Sequence, residues 1–398
     1  MRIRTLKSFP LLAVLTWFAS LPSAAVSAAE LSGRAAISTE WNVHSSMGLD
    51  ALLFIGALTG DKLQAEHYAS ETADFRGRFD TETLASIERV GGMGSQTGTL
   101  VGPLLALVFS AGPDATLADI IISARDPEAR LRPTFEASPY WNAERWPGLR
   151  DTMMPEVLRI LLALQEAGFE QYWHEQFEPS IAQKVATMGE FLTRYDVIPE
   201  QQRLIARPLN PEIEVVLVHF TKPYGVKIVG QRFLSHHSWS ADTQLRTAAH
   251  EIFHPPFDPD DQRLLASLEE LQNDPWMRSI VHDHDPAFGY NSFEGVLNED
   301  STSALDQIVS ERLGFARDPA ERWQSVDGGM HMLAAALYHL MKEDEFAERG
   351  GNYPEWLDSV VDRGLLTPAE VKRRAAIVVG DAAVKKWTPA ATGRVATN

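Results

Sequence analysis

Thr247-Ala248-Ala249-His250-Glu251-Ile252-Phe253-His254 is the stretch from which the rest of this chain is read. As a helix it places His250 and His254 one turn apart on one face, because residues four apart are neighbours on a helix surface. Two imidazoles so placed can share a metal ion. Glu251 projects about 100° further round, within reach of a water on that ion without being a ligand itself. Leu245, Ala248, Ala249 and Ile252 fall at i, i+3, i+4 and i+7, an apolar stripe that anchors the opposite side of the helix in a core. Ser240 stands where an N-cap belongs, Asp242 adds a negative charge to the first turn, and Pro255-Pro256 are expected to stop the helix just after His254. The competing reading is a surface helix whose His and Glu are solvated.

Upstream, Glu212 to Phe220 and Val226 to Leu234 are β-branched and partly alternating, and Pro223-Tyr224-Gly225 separates them. They predict two strands joined by a tight turn, a hairpin leading into the motif helix. The edge of such a sheet can pair with an extended peptide or simply support the helix. The first half reads as helical, with apolar segments at Met47 to Leu58 (closing at Gly60), Leu84 to Val90, Leu100 to Phe109, Leu117 to Ile122, Met153 to Leu164 and Ile181 to Phe191. Asp80, Asp114 and Asp151 occupy expected N-cap positions. Residues 126 to 150, with Pro133, Pro139, Trp141, Trp146 and Pro147, predict a long ordered loop with aromatic anchors. Short helices at Pro354 to Leu365 and Pro368 to Val378 follow late in the chain. The expected class is α+β, helix-rich, with a small mainly antiparallel sheet before the motif helix.

Arg2, Arg4 and Lys7 precede an apolar run from Phe9 to Val26, and Val26-Ser27-Ala28 supplies small residues at a cleavage point. This predicts a signal peptide over residues 1–28 and a mature chain that is exported, periplasmic or secreted, without stable membrane insertion; an uncleaved anchor is the alternative, because the run is nearly long enough to span a bilayer if Pro10 and Pro22 are ignored. The expected parts are then a helical N-terminal part over 29–150, a main domain over 151–387 and a frayed tail over 388–398. A net charge of -18 and no basic cluster exclude nucleic acid as a partner. With 12 His and no Cys, the strong ligands for a transition metal are imidazoles and carboxylates.

A catalytic zinc site usually has three protein ligands, so a third is sought downstream. Asn291 to Gly314 predicts a helix with an apolar stripe at Leu305, Ile308, Val309 and Leu313 and a glycine end. Glu294 and Glu299 compete on it; Glu294 stands three after Asn291, the spacing of a capping box. His282-Asp283-His284-Asp285 is a second ligand-like run that also suits a solvated turn, and His236 and His237 either orient the motif helix or lie in such a turn. Hydrolysis builds negative charge on a carbonyl oxygen, for which Tyr290, His331 and Tyr338 are candidate donors. Tyr338 equally suits a helix core.

His250-Glu251-x-x-His254 with a downstream glutamate resembles the gluzincin zinc metallopeptidases, in which a glutamate from a second helix completes the site. Leu297-Asn298-Glu299 resembles the sequence around that ligand in several such families. Over about residues 240 to 315, the pattern around His250 together with Glu299 and Ala304-Leu305 is similar to a family of bacterial proteins with a zincin-like domain of unknown function. The resemblance implies a zincin-like fold and Zn2+ on His250, His254 and Glu299. It further implies Glu251 as general base and a peptide or protein substrate. Pro255-Pro256 directly after the motif and the long interval from His254 to Glu299 set the chain apart from better-known gluzincins. The alternative is a non-catalytic binding protein that retains the scaffold; loss of the motif glutamate would mark it, and Glu251 is present.

Overall fold

The computed structural model describes residues 38–258 and 261–389; the expected signal peptide and the tail from residue 390 lie outside them. The chain divides into two compact units, one running to Gln201 and resuming over Pro208–His254, the other made of Gln202–Arg207 and the chain from Pro255 onward. Helices dominate both. None of those described is long and apolar enough to cross a membrane.

In the first unit the helix α1 (Met47–Leu58) is buried along its whole length, as its densely apolar sequence requires. Ser46 caps it by accepting the Leu49 N–H at 2.9 Å. Around it stand α2 (Lys62–Arg78), α3 (Thr81–Thr97), α4 (Val101–Phe109), α5 (Leu117–Arg125), α6 (Met154–Glu166) and α7 (Glu178–Leu192). α1 and α4 cross where Gly56 meets Gly102; a Cβ on Gly56 would lie 2.7 Å from the Gly102 Cα, so glycine sets that distance. Phe54 anchors the core, with Phe220, Phe75 and Phe169 ring centroids at 4.4, 5.2 and 5.5 Å.

Asp80 caps α3 as expected, accepting the Thr83 N–H, but Asp114 and Asp151 cap nothing. α5 begins instead at Thr116, which forms a capping box with Asp119, and Asp114 pairs with Arg232 at 2.9 Å. Asp151 lies inside a π-helical turn at Leu149–Met153 and pairs with Arg150, while α6 starts through a proline in its first turn. The stretch expected as a loop is partly helical, with turns at Pro127–Arg130 and Arg132–Phe135. Its tryptophans pack on one another, Trp141 to Trp146 at 5.3 Å, and the Trp146 indole donates to Glu128.

The sheet differs from the expected antiparallel hairpin. It has four strands, β1 (Glu40–Ser45), β2 (Glu212–Val218), β3 (Val226–Ile228) and β4 (Arg232–His236), in the order β1-β2-β4-β3. β1 and β4 both pair parallel with β2, and only β3 with β4 is antiparallel. Gly230, at φ +84°, splits the second apolar run into two short strands, so the hairpin forms within it. Asp50, buried in the first turn of α1, draws the chain out of β2 by accepting the backbone N–H groups of His219 (2.9 Å) and Phe220 (2.6 Å). It also accepts the Trp173 indole N–H at 2.7 Å. Burial pushes its carboxyl up to about 6 against the pull of those donors. Asp50→Ala would strand three buried donors at about 1–3 kcal/mol each, so its unfolding free energy in urea is expected to fall by roughly 3 kcal/mol or more. A change under about 1 kcal/mol would show that the donors find other partners.

The second unit is built on α9 (Pro275–Asp283), α10 (Phe293–Leu313), α11 (Met332–Glu343) and α12 (Pro368–Val379). α11 packs against both α10 and α12. α10 is buried from Phe293 to Ser310 apart from Glu294, and Gly314 closes it in the left-handed conformation at φ +79°. Its N-cap is Ser292, bonded to the Gly295 N–H at 3.1 Å, so Asn291 and Glu294 do not form the expected capping box. Arg322 and Asp306 form a buried forked pair, and Gln307 and Ser303 each accept one further guanidinium N–H.

Candidate metal centre

The helix that carries the motif, α8 (Ala241–Glu251), starts where the sequence placed it. Ser240 accepts the Thr243 N–H at 3.1 Å. Leu245, Ala248, Ala249 and Ile252 are buried, as the stripe required. Gln244 donates to the His236 carbonyl at 2.9 Å and Gln201 to the Ala249 carbonyl at 3.0 Å, which fix the helix at both ends.

The end differs from expectation. α8 stops at Glu251, and the chain leaves it through tightened turns, Phe253 N–H to the His250 carbonyl at 3.0 Å and His254 N–H to the Glu251 carbonyl at 3.4 Å. The cause is Pro255, which disfavours helical geometry at the residue before it. The motif therefore straddles the helix terminus. The two imidazoles still meet, with His250 Nε2 and His254 Nε2 2.9 Å apart. Nitrogens that share one ion at 2.0–2.1 Å lie about 2.9–3.4 Å apart for bond angles of 90–109°, so the pair has the separation of two ligands. His250, Glu251 and His254 are 1, 0 and 4 % exposed, which excludes the solvated-surface reading.

In the second unit Glu299 sits on α10, 2 % exposed, while Glu294 is half-buried in the first turn. The next residue, Asp300, is fully buried and accepts the Ala334 N–H at 2.9 Å. It thereby caps α11, whose own N-cap residue, His331, makes no side-chain cap. His331 lies between two carboxylates, Nδ1 2.7 Å from Asp300 and Nε2 2.9 Å from Asp327. Burial works against a charge on His331, but the two aspartates outweigh it and raise its pKa to about 10. With both N–H groups given to carboxylates, His331 has none for an oxyanion, and its expected role changes to holding Asp300 and the α10 turn in place. The Tyr338 hydroxyl is likewise engaged, donating to Glu311 at 2.6 Å, and burial with that carboxylate raises its pKa. Tyr290, 1 % exposed, stands edge-on to His331 at 5.7 Å.

His282 and His284 point to different surroundings. His282 is exposed on α9, whereas His284 is buried and donates from Nδ1 to the Ile280 carbonyl at 2.7 Å. Sequence reasoning missed Asp300 and Asp327. Their signal was an aspartate beside Glu299 and another just before the glycines that open α11, each of which reads locally as a polar turn or helix residue. Comparison with protein-family models, with curated proteins and with solved structures finds no match to this chain.

Proposed function

We propose that this chain is a zinc-dependent hydrolase, and most specifically a peptidase. The observation that carries this reading is the buried pair of imidazole nitrogens at 2.9 Å with the fully buried Glu251 in the same turn. His250, His254 and Glu299, all three buried, would hold the ion. A nitrogen and carboxylate set without thiolate suits zinc among the common divalent ions. When bound, zinc makes a water more acidic and polarises a carbonyl. Glu251 takes the proton of the attacking water on its carboxylate and returns it to the leaving nitrogen. The Tyr290 phenol is kept as the candidate donor to the carbonyl oxygen. His331 and Asp300 keep α10 in position.

The test is metal content and hydrolysis of a broad peptide library by the purified full chain. The parent is expected to hold zinc at this site and cleave, and His250→Ala and Glu299→Ala to lose that equivalent and all cleavage. Glu294→Ala should keep both. Zinc retained in Glu299→Ala and lost in Glu294→Ala would move the third ligand to Glu294, and a parent that cleaves no peptide would sink the peptidase reading.

A further inference from the structure

Three histidines that the proposed hydrolytic site does not use converge in the first unit. β2 and β4 run parallel with Val218 opposite His236, so His219, just after β2, comes beside His236 and His237 at the carboxyl end of β4. The His237 N–H donates to the Val218 carbonyl at 3.0 Å and secures that register. One ring nitrogen from each of the three lies within 4.8 Å of the other two. His219 Nδ1 and His237 Nε2 are 3.2 Å apart, close to the separation of about 3.3–3.4 Å that two nitrogens take on a tetrahedral ion at 2.0–2.1 Å.

The rings are held before any ligand arrives. Asp50 fixes the His219 backbone, the His219 ring stacks on Phe177 at 3.7 Å, and the Ser238 N–H and hydroxyl both meet His236 Nδ1, at 3.0 and 2.9 Å. His219 Nε2 is buried, makes no hydrogen bond among the described residues, and has Glu71 Oε1 3.9 Å away. A carboxylate behind a ligand imidazole is a common support of metal sites. Aromatic packing accounts for His219 on Phe177, but it does not require three ring nitrogens to point at one another.

We propose that His219, His236 and His237 form a second metal site, for a divalent late first-row cation of the zinc class, with a fourth position for water or an anion. It is separate from the His250 and His254 pair. Nine residues of α8, Ala241 to Ala249, stand between His237 and His250 in sequence, and the helix rises about 14 Å from Ala241 to His250, too far for a shared ion.

The test titrates chelator-stripped full-length protein with Co2+ and with Zn2+, following heat of binding and the visible absorption of four-coordinate Co2+. The parent is expected to take two equivalents. His219→Gln/His237→Gln, and His237→Gln alone where the double variant fails to fold, should take one; His250→Ala/His254→Ala should also take one. Two equivalents in the His219 and His237 variants would overturn the proposal. So would a parent that takes a single equivalent and loses it with the His250 and His254 pair, which leaves the hydrolytic site standing. A single equivalent lost only with His219 and His237 would support this site and remove the other.

Discussion

Glu251→Gln is expected to hold as much zinc as the parent and to turn over peptide 10² to 10⁴ times more slowly, the usual contribution of a general base. The two halves of that result have separate causes. In the proposed mechanism Glu251 stands beside the ligands and is not one of them, so removing its charge should leave the imidazoles of His250 and His254 at their 2.9 Å separation. Glutamine fills the same fully buried volume, so the last turn of α8 keeps its packing. What the amide cannot do is accept a proton from the attacking water. His250→Ala removes a donor and should empty the site as well as stop the reaction. The measurement pairs metal analysis with kcat/KM on whichever peptide the parent cleaves best. A Glu251→Gln enzyme that keeps both its zinc and its parent rate would remove Glu251 from the mechanism and return the scaffold to the class of metal-holding binding proteins.

What could be read before the structure was local. Met47–Leu58 and Phe293–Leu313 announce themselves by apolar content and by their closing glycines, Gly60 in one case and Gly314 in the other. Ser240, the buried stripe of α8 and the spacing of His250 and His254 were likewise contained in one turn or two. The sheet was not local. β1 alternates only weakly between exposed and half-buried residues, and its partner β2 lies far along the chain. The departure of the chain from β2 rests on Asp50, whose three donors come from two distant segments. A buried aspartate within an apolar helix looks in sequence like an ordinary polar residue. The same holds for Asp300, Asp327 and His331, which acquire their meaning only when α10 meets the start of α11. His219 is the extreme case, a lone histidine that becomes one of three through strand register.

His331→Ala should cost the second unit about 3–5 kcal/mol, the loss found when one member of a buried ionic group is removed. Asp300 and Asp327 are 0 and 3 % exposed, and without the imidazole between them two carboxylates face each other in the core. Burial pushes both of those carboxyls up while His331 pulls them down, and the direction that governs is retention of the proton on His331. Its pKa, raised from 6.5 in the unfolded chain to about 10 in the fold, sets the pH window. Between those two values the folded state binds more protons than the unfolded one, so stability falls as pH rises. The contribution is complete below about 6.5, declines across the interval and is gone above about 10. The gap between parent and His331→Ala, read from urea midpoints, should therefore narrow steadily from pH 6.5 to pH 10. His331→Gln, which can still donate one hydrogen bond but carries no charge, should recover part of the loss and show a flat pH profile. A gap that stays constant over that interval would mean that His331 is held neutral, bonded to Asp300 and Asp327 without an ionic share. The anchoring of Asp300, and with it the α10 turn that carries Glu299, would then rest on hydrogen bonds alone.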